Sequence, residues 1–162
     1  MENHKSTEFE KMVHLEHTVE IAASPEQVWS VLSNLPRSPE FVPGIISAKM
    51  ENLTRVCVDT DGNEIQEELE YYSATEQTYR LQHVKIPLPV SQSHMQFSVQ
   101  PQKQNTLVKL IWELSFLEPA LEAQLKPMID GSARMTLEQL KVIVEKEQQQ
   151  NVGSPKIGFR QS

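Results

Sequence analysis

The chain has 162 residues, 38% hydrophobic and 23% charged, with a formal net charge of −7, a size that suits one domain with a core able to hold a pocket. The acidic balance excludes an electrostatic nucleic-acid binder, which needs a basic stripe to neutralise phosphates. No apolar run approaches the roughly 20 residues of a membrane-spanning helix, and the opening MENHKSTEFEK lacks the apolar core of a secretory signal; the expectation is a cytoplasmic protein without stable membrane insertion.

Residues 1–11 are polar and unpatterned, and 147–162 open on glutamines and continue through Gly, Ser and Pro; both ends are expected to be flexible, leaving one domain over 12–146. Val13, Leu15, His17, Val19 and Ile21 alternate with polar residues, the pattern of a strand with one buried face. Ser24 offers an N-cap and Pro25 suits the first helical position. Val28, Trp29, Val31, Leu32 and Leu35 then fall at helical spacing until Pro36. PRSPEFVPG has room for one further turn, over Pro39 to Val42, before Pro43 and Gly44.

From Ile45 the punctuation is that of a meander. Strands are expected at 45–51, 54–60, 64–73, 76–85, 91–101 and 105–116, with Asp61-Gly62-Asn63 as a tight turn and Pro101 to Asn105 as a polar loop. Pro87 and Pro89 interrupt pairing. A long amphipathic helix, Leu121 to Gln149, closes the domain, with Leu125, Ile129, Ala133, Leu137, Leu140 and Val144 at intervals of three and four. Pro127 removes one backbone bond, so it should kink this helix or mark the start of its main part. The composition of elements is α+β. One helix rarely fills the concave face of a large curved sheet, so the layout points to an internal cavity.

The sequence resembles the START-like (SRPBCC) superfamily with the helix-grip fold, and within it the polyketide cyclase/dehydrase-type subgroup. ASPEQVW at Ala23 to Trp29 and EFVPGI at Glu40 to Ile45 resemble the two short helices of that fold. RVCVDTDGNEIQEEL at Arg55 to Leu69 is similar to its arginine strand, Gly turn and Glu-x-Leu strand, and KIPLPV at Lys85 to Val90 and LIWELSF at Leu110 to Phe116 extend the likeness. It spans Val13 to Glu145. The resemblance implies a curved antiparallel sheet of about seven strands, two short helices and a long C-terminal helix over an internal cavity. It also implies that Glu67 contributes to a pocket; the 86–90 loop either gates its mouth, as the corresponding loop does in similar receptors, or is simply the stiff turn that two prolines make. Relatives carry a Gly-rich loop before the arginine strand, whereas here ENLT leads straight into Arg55, so no gating role carries over to that segment.

Strand alternation supplies a lining of its own. Ile65, Glu67, Leu69 and Tyr71 share one face, with Glu67 the polar member of an otherwise apolar row. A carboxylate taken from water needs a partner, so Glu67 either meets a ligand or pairs with a lysine or arginine on a neighbouring element. On the ligand reading, Glu67→Ala weakens binding and leaves the fold intact. Tyr79, Leu81 and His83 share the next face, Ser93, Met95, Phe97 and Val99 the following one, and Val108, Leu110, Trp112, Leu114 and Phe116 the last. From the helix, Met128 and Met135 offer adaptable apolar contacts. His17 faces the same side of the first strand and reads as structural.

The expected ligand contacts are thus Glu67, Leu69, Tyr79, Leu81, His83, Ser93, Met95, Trp112, Leu114, Met128 and Met135. Common catalytic signatures are missing: there is no Gly-x-Ser-x-Gly, no Walker loop and no GxGxxG. The five histidines form no HExxH pair, and the single cysteine, Cys57, reads as a small buried hydrophobe; neither a metal nor a cofactor is expected.

Three functions stay open. The first is binding of a small hydrophobic or amphipathic ligand of lipid, polyketide or isoprenoid-like character. The second is a polyketide cyclase/dehydrase-type enzyme with Glu67, Tyr79 and His83 as candidate proton carriers. The third is a protein-interaction or chaperone-like module, which a closed, fully packed interior would favour. A homodimer is compatible with the residues.

Overall fold

The computed structural model describes residues 11–159. Strand β1, Val13–Ile21, is followed by helix α1, Pro25–Leu32, and a 3-10 helix, Leu35–Glu40. Six strands come next: β2 Ile45–Glu51, β3 Thr54–Asp59, β4 Glu64–Ser73, β5 Thr78–Lys85, β6 Val90–Gln102 and β7 Asn105–Phe116. Helix α2, Ala120–Phe159, ends the described chain. The seven strands form one antiparallel sheet in the order β1-β7-β6-β5-β4-β3-β2. First and last strands pair, so the two short helical pieces carry the chain from one edge of the sheet to the other.

Local chemistry sets the boundaries. Ser24 caps α1 through a reciprocal box: the Gln27 amide donates to Ser24 Oγ (3.1 Å), and the Ser24 amide donates to Gln27 Oε1 (3.0 Å). The helix stops at Leu32, three residues before the expected Leu35. The second helical piece is a 3-10 helix rather than the expected turn at Pro39 to Val42. Its early Pro36 lacks only an amide that would be unbonded there anyway. Arg37 then bridges to Glu40 and to Glu147 of α2 (2.7 and 2.6 Å), tying this piece to the long helix. Helix α2 runs unbroken through Pro127, so that residue does not mark its start, and it continues past Gln149. The ends expected to be flexible, 1–11 and 147–162, lie outside the described residues except for Lys11 and the part of α2 from 147 to 159.

Two slips of register reshape β4 and β5. Gln66 pairs with Lys85 but Glu67 pairs with His83, and Leu69 pairs with Leu81 but Tyr71 with Arg80. Each slip inserts one residue, which reverses the sides of everything beyond it. Tyr71 therefore leaves the row of Glu67 and Leu69, and Tyr72 takes the inward position, its ring 5.6 Å from Trp29. The core forms where the predicted stripe of α2 (Ile129, Ala133, Leu137, Leu140, Val144) meets α1 and the concave faces of β1, β6 and β7. His17 reaches Asp130 of α2 at 2.8 Å, a link between β1 and the helix.

Candidate functional site

Helix α2 packs over the β1–β7 half of the sheet and the 3-10 helix over the β2 end. Where the two covers meet, they leave a cavity of about 360 Å³. One wall is apolar, with Met95, Phe97, Trp112, Ile129, Ile86 and Leu88. Polar groups come from Arg55, Cys57 and Asp59 at alternate positions of β3 and from Ser38 of the 3-10 helix, set among the apolar Phe41, Val42, Ile45 and Ile65. The solvent-exposed lining residues Gly44, Thr60, Asp61, Pro87 and Met128 frame its mouth.

At the inner end a hydrogen-bonded chain crosses five strands, β3 to β7. The turn at Asp61-Gly62-Asn63 has Gly62 at φ +85°, a conformation that favours glycine, and it folds β3 onto β4 so that Arg55 stands opposite Glu67. Arg55 Nε donates to Glu67 Oε1 (2.6 Å) and Arg55 Nη1 donates to the Leu35 carbonyl (3.1 Å). His83 Nε2 lies 3.1 Å from Glu67 Oε2, and His83 Nδ1 lies 2.8 Å from Ser93 Oγ. Trp112 Nε1 donates to that same Ser93 oxygen (2.8 Å). One arrangement leaves every proton with an acceptor: Trp112 donates to Ser93, Ser93 to His83 Nδ1, and His83 Nε2–H to Glu67. Tyr79 donates to the Leu32 carbonyl (3.1 Å), so Tyr79 and Arg55 satisfy the carbonyls at the end of α1 and at the start of the 3-10 helix.

The electrostatics follow from burial. Only 4% of the Arg55 side chain and 8% of Glu67 are exposed. Burial alone would raise the carboxyl of Glu67, but the Arg55 charge and the His83 hydrogen bond outweigh it and hold the group well below the carboxylate range. The Tyr79 phenol is pushed above its ordinary value, chiefly by burial. Burial, aided by the Glu67 charge, pushes the Cys57 thiol up to about 11, which keeps it an inert thiol at neutral pH.

Of the expected contacts, Glu67, Tyr79, His83, Met95, Trp112 and Met128 line the cavity. Ser93 stands one bond behind it, between His83 and Trp112. Leu81 and Leu114 are fully buried core residues, and Leu69 packs partly buried against that core. Met135 faces away, 53% exposed, in a shallow outer groove with Pro39 and Val142. Beside Met128 the helix presents Ile129, Ser132 and Thr136 to the cavity, while Met135 is offset from the inward stripe. The expectation that Glu67→Ala spares the fold does not survive the pairing with Arg55, since removal strands a buried guanidinium. Ser38 was missed. Among the described residues no group of three or more His, Cys, Asp or Glu is arranged to hold a metal, and no helix is long and apolar enough to cross a membrane.

A curved seven-stranded sheet gripping a long C-terminal helix, with a cavity between them, defines a helix-grip protein. The family model for polyketide cyclase/dehydrase and lipid transport proteins matches residues 12–145, and the chain belongs to that family. Among solved structures it is similar to XoxI from Bacillus cereus, with 25% identity over 84% of this chain and 98% of that one and a TM-score of 0.76. An uncharacterized protein from Bacillus thuringiensis has 24% identity over 82% and 98%, with a TM-score of 0.72. Norcoclaurine synthase from Thalictrum flavum, solved in complex with dopamine and hydroxybenzaldehyde, has 18% identity over 85% and 88%, with a TM-score of 0.68. No curated protein matches the chain.

Proposed function

We propose that this protein binds one small hydrophobic or amphipathic molecule, of lipid, polyketide or isoprenoid-like character, between its sheet and α2. The observation that carries the reading is the cavity itself, about 360 Å³ with a mainly apolar lining and a few polar groups. That volume is near the low end of the roughly 300–1,000 Å³ of small-molecule sites, so it suits a compact ligand better than a two-chain lipid. An open interior also weighs against a pure interaction module.

The state of the candidate proton carriers favours binding over acid/base turnover. Glu67 is held ionised by Arg55 and His83, which makes it a weak base, and the Tyr79 proton is committed to the Leu32 carbonyl. That norcoclaurine synthase, a neighbour in fold, holds two small aromatic molecules supports the capacity of such a scaffold for ligands of this size.

Native mass spectrometry of the gently purified protein, followed by organic extraction, tests the reading. The expected result is one stoichiometric molecule, or a one-to-one adduct once a panel of small lipids and polyketides is added. A protein that arrives empty and takes up no member of the panel contradicts it.

A further inference from the structure

The polar groups of the lining carry information about the ligand's head group. Ser38 is 1% exposed and lines the cavity, yet its hydroxyl has no nitrogen or oxygen hydrogen-bond partner among the described residues. Its neighbour, the Cys57 thiol, offers it only a weak sulfur contact, the thiol proton being directed to Glu67 Oε1 (3.7 Å), so the hydroxyl keeps most of its bonding capacity unused. A buried hydroxyl left open in this way is costly to keep unless something enters to meet it.

The charges around it have one sign left over. Four ionised side chains line the cavity: Arg55, Glu67, Asp59 and Asp61. Arg55 is bound to Glu67 at 2.6 Å, so its charge is already answered. Asp59 accepts hydrogen bonds from the Asp61 and Asn63 amides (3.0 and 2.8 Å) and the Asn63 side chain (3.2 Å), and among the described residues neither Asp59 nor Asp61 has a cationic partner towards the mouth. No lysine lines the cavity. An entering carboxylate would lose its hydration without gaining a free cation, and would face Asp59 and Asp61 on the way. A hydroxyl can both donate to and accept from Ser38 Oγ, and an ammonium can donate to it while the aspartates favour its charge.

We infer that the cavity selects neutral or cationic amphiphiles, alcohols and amines on a compact apolar skeleton, over the corresponding carboxylates, with Ser38 Oγ receiving the polar group. This inference rests on the binding function proposed above.

The test uses three skeletons (phenylbutyl, naphthylethyl and branched decyl), each as alcohol, primary amine and carboxylate, titrated into the full chain at pH 7 and low salt. A rim charge several ångströms away in a high dielectric changes affinity about threefold, so two aspartates should leave the carboxylates about tenfold weaker than the alcohols. Asp61→Asn, whose side chain lies at the exposed rim, should narrow that gap. Ser38→Ala should weaken the alcohols about fivefold, the size of one hydrogen bond, and should melt no lower than the parent because it deletes an unsatisfied hydroxyl.

Carboxylates that bind as tightly as the alcohols would overturn the selectivity and leave the binding function standing. A Ser38→Ala variant that melts markedly lower would show the hydroxyl to be structural and would overturn its assigned role. If none of the nine compounds binds, the binding function falls and this inference with it.

Discussion

The two faces of the sheet carry chains built from the same kinds of side chain in opposite surroundings. On the convex face His14 pairs with Glu113 (3.1 Å), Arg80 with Glu113 (3.4 Å) and with Glu70 (3.0 Å), and His94 with Glu70 (3.1 Å), a ladder from β1 to β4 in contact with water. On the concave face Arg55, Glu67, His83, Ser93 and Trp112 are joined by bonds of 2.6 to 3.1 Å under the helices. In water each outer partner can be replaced by solvent, so losing one costs little. Inside, each polar atom depends on the next, and removing one strands its neighbour in a low dielectric. The inner chain is therefore the frame that holds the polar end of the cavity in shape, and the outer ladder is a solvated surface.

Breaking the inner chain at its charge should have the largest effect. Arg55→Ala leaves the Glu67 carboxylate buried and alone, and should cost about 3–5 kcal/mol in chemical denaturation. Replacing both members together, Arg55→Met with Glu67→Leu, should recover part of that loss, since His83 Nε2 and the Leu35 carbonyl then lose their partners; a double variant as unstable as the single would mean that the pair does not act as a unit.

The pH dependence of stability sharpens the same point. The folded-state value of Glu67 lies below its ordinary 4.5, so the ionised form is favoured by folding. Its contribution is fully present above 4.5 and is lost as pH falls through the depressed folded value. Denaturation midpoints measured from pH 6 down to pH 2 should fall for the wild type, and fall less steeply for the double variant.

Trp112→Phe removes the donor at the far end of the chain while keeping a ring, and should cost about 1–3 kcal/mol, read as a lower thermal midpoint. The smallest effect belongs to the outer ladder. Arg80→Ala should cost less than about 1 kcal/mol and less still in high salt, and a larger, salt-insensitive loss would erase the contrast between the two faces.

The difference between the faces also explains what could be read in the sequence. Period-two alternation and Pro/Gly punctuation placed β1, β2, β4 and β7 at their observed bounds, because one buried face and a stiff turn leave little choice. The helix stripe from Ile129 to Val144 was equally plain. Tyr71 was assigned inward because a single inserted residue leaves no mark in composition, yet turns the rest of the strand over.

The partner of Glu67 could have been found. Counting outward symmetrically from Asp61 in the tight turn puts Cys57 opposite Ile65 and Arg55 opposite Glu67, the observed register. Ser38 was beyond reach, since a proline-rich segment gives no period from which to judge which side chain turns inward. Met135 failed for a related reason: thioether chemistry suggested a lining, but its position on α2 is set by the helix's rotation over the sheet.

The most direct test of the central claim, that the ligand lies between the sheet and α2, follows the methionine methyl groups. In protein carrying 13C-methyl methionine, the extracted molecule or the tightest alcohol of the series should shift the resonances of Met95 and Met128, which line the cavity, and leave that of Met135 on the outer groove unmoved. Movement of Met135 with Met95 and Met128 unchanged would place the ligand outside the cavity and contradict the account.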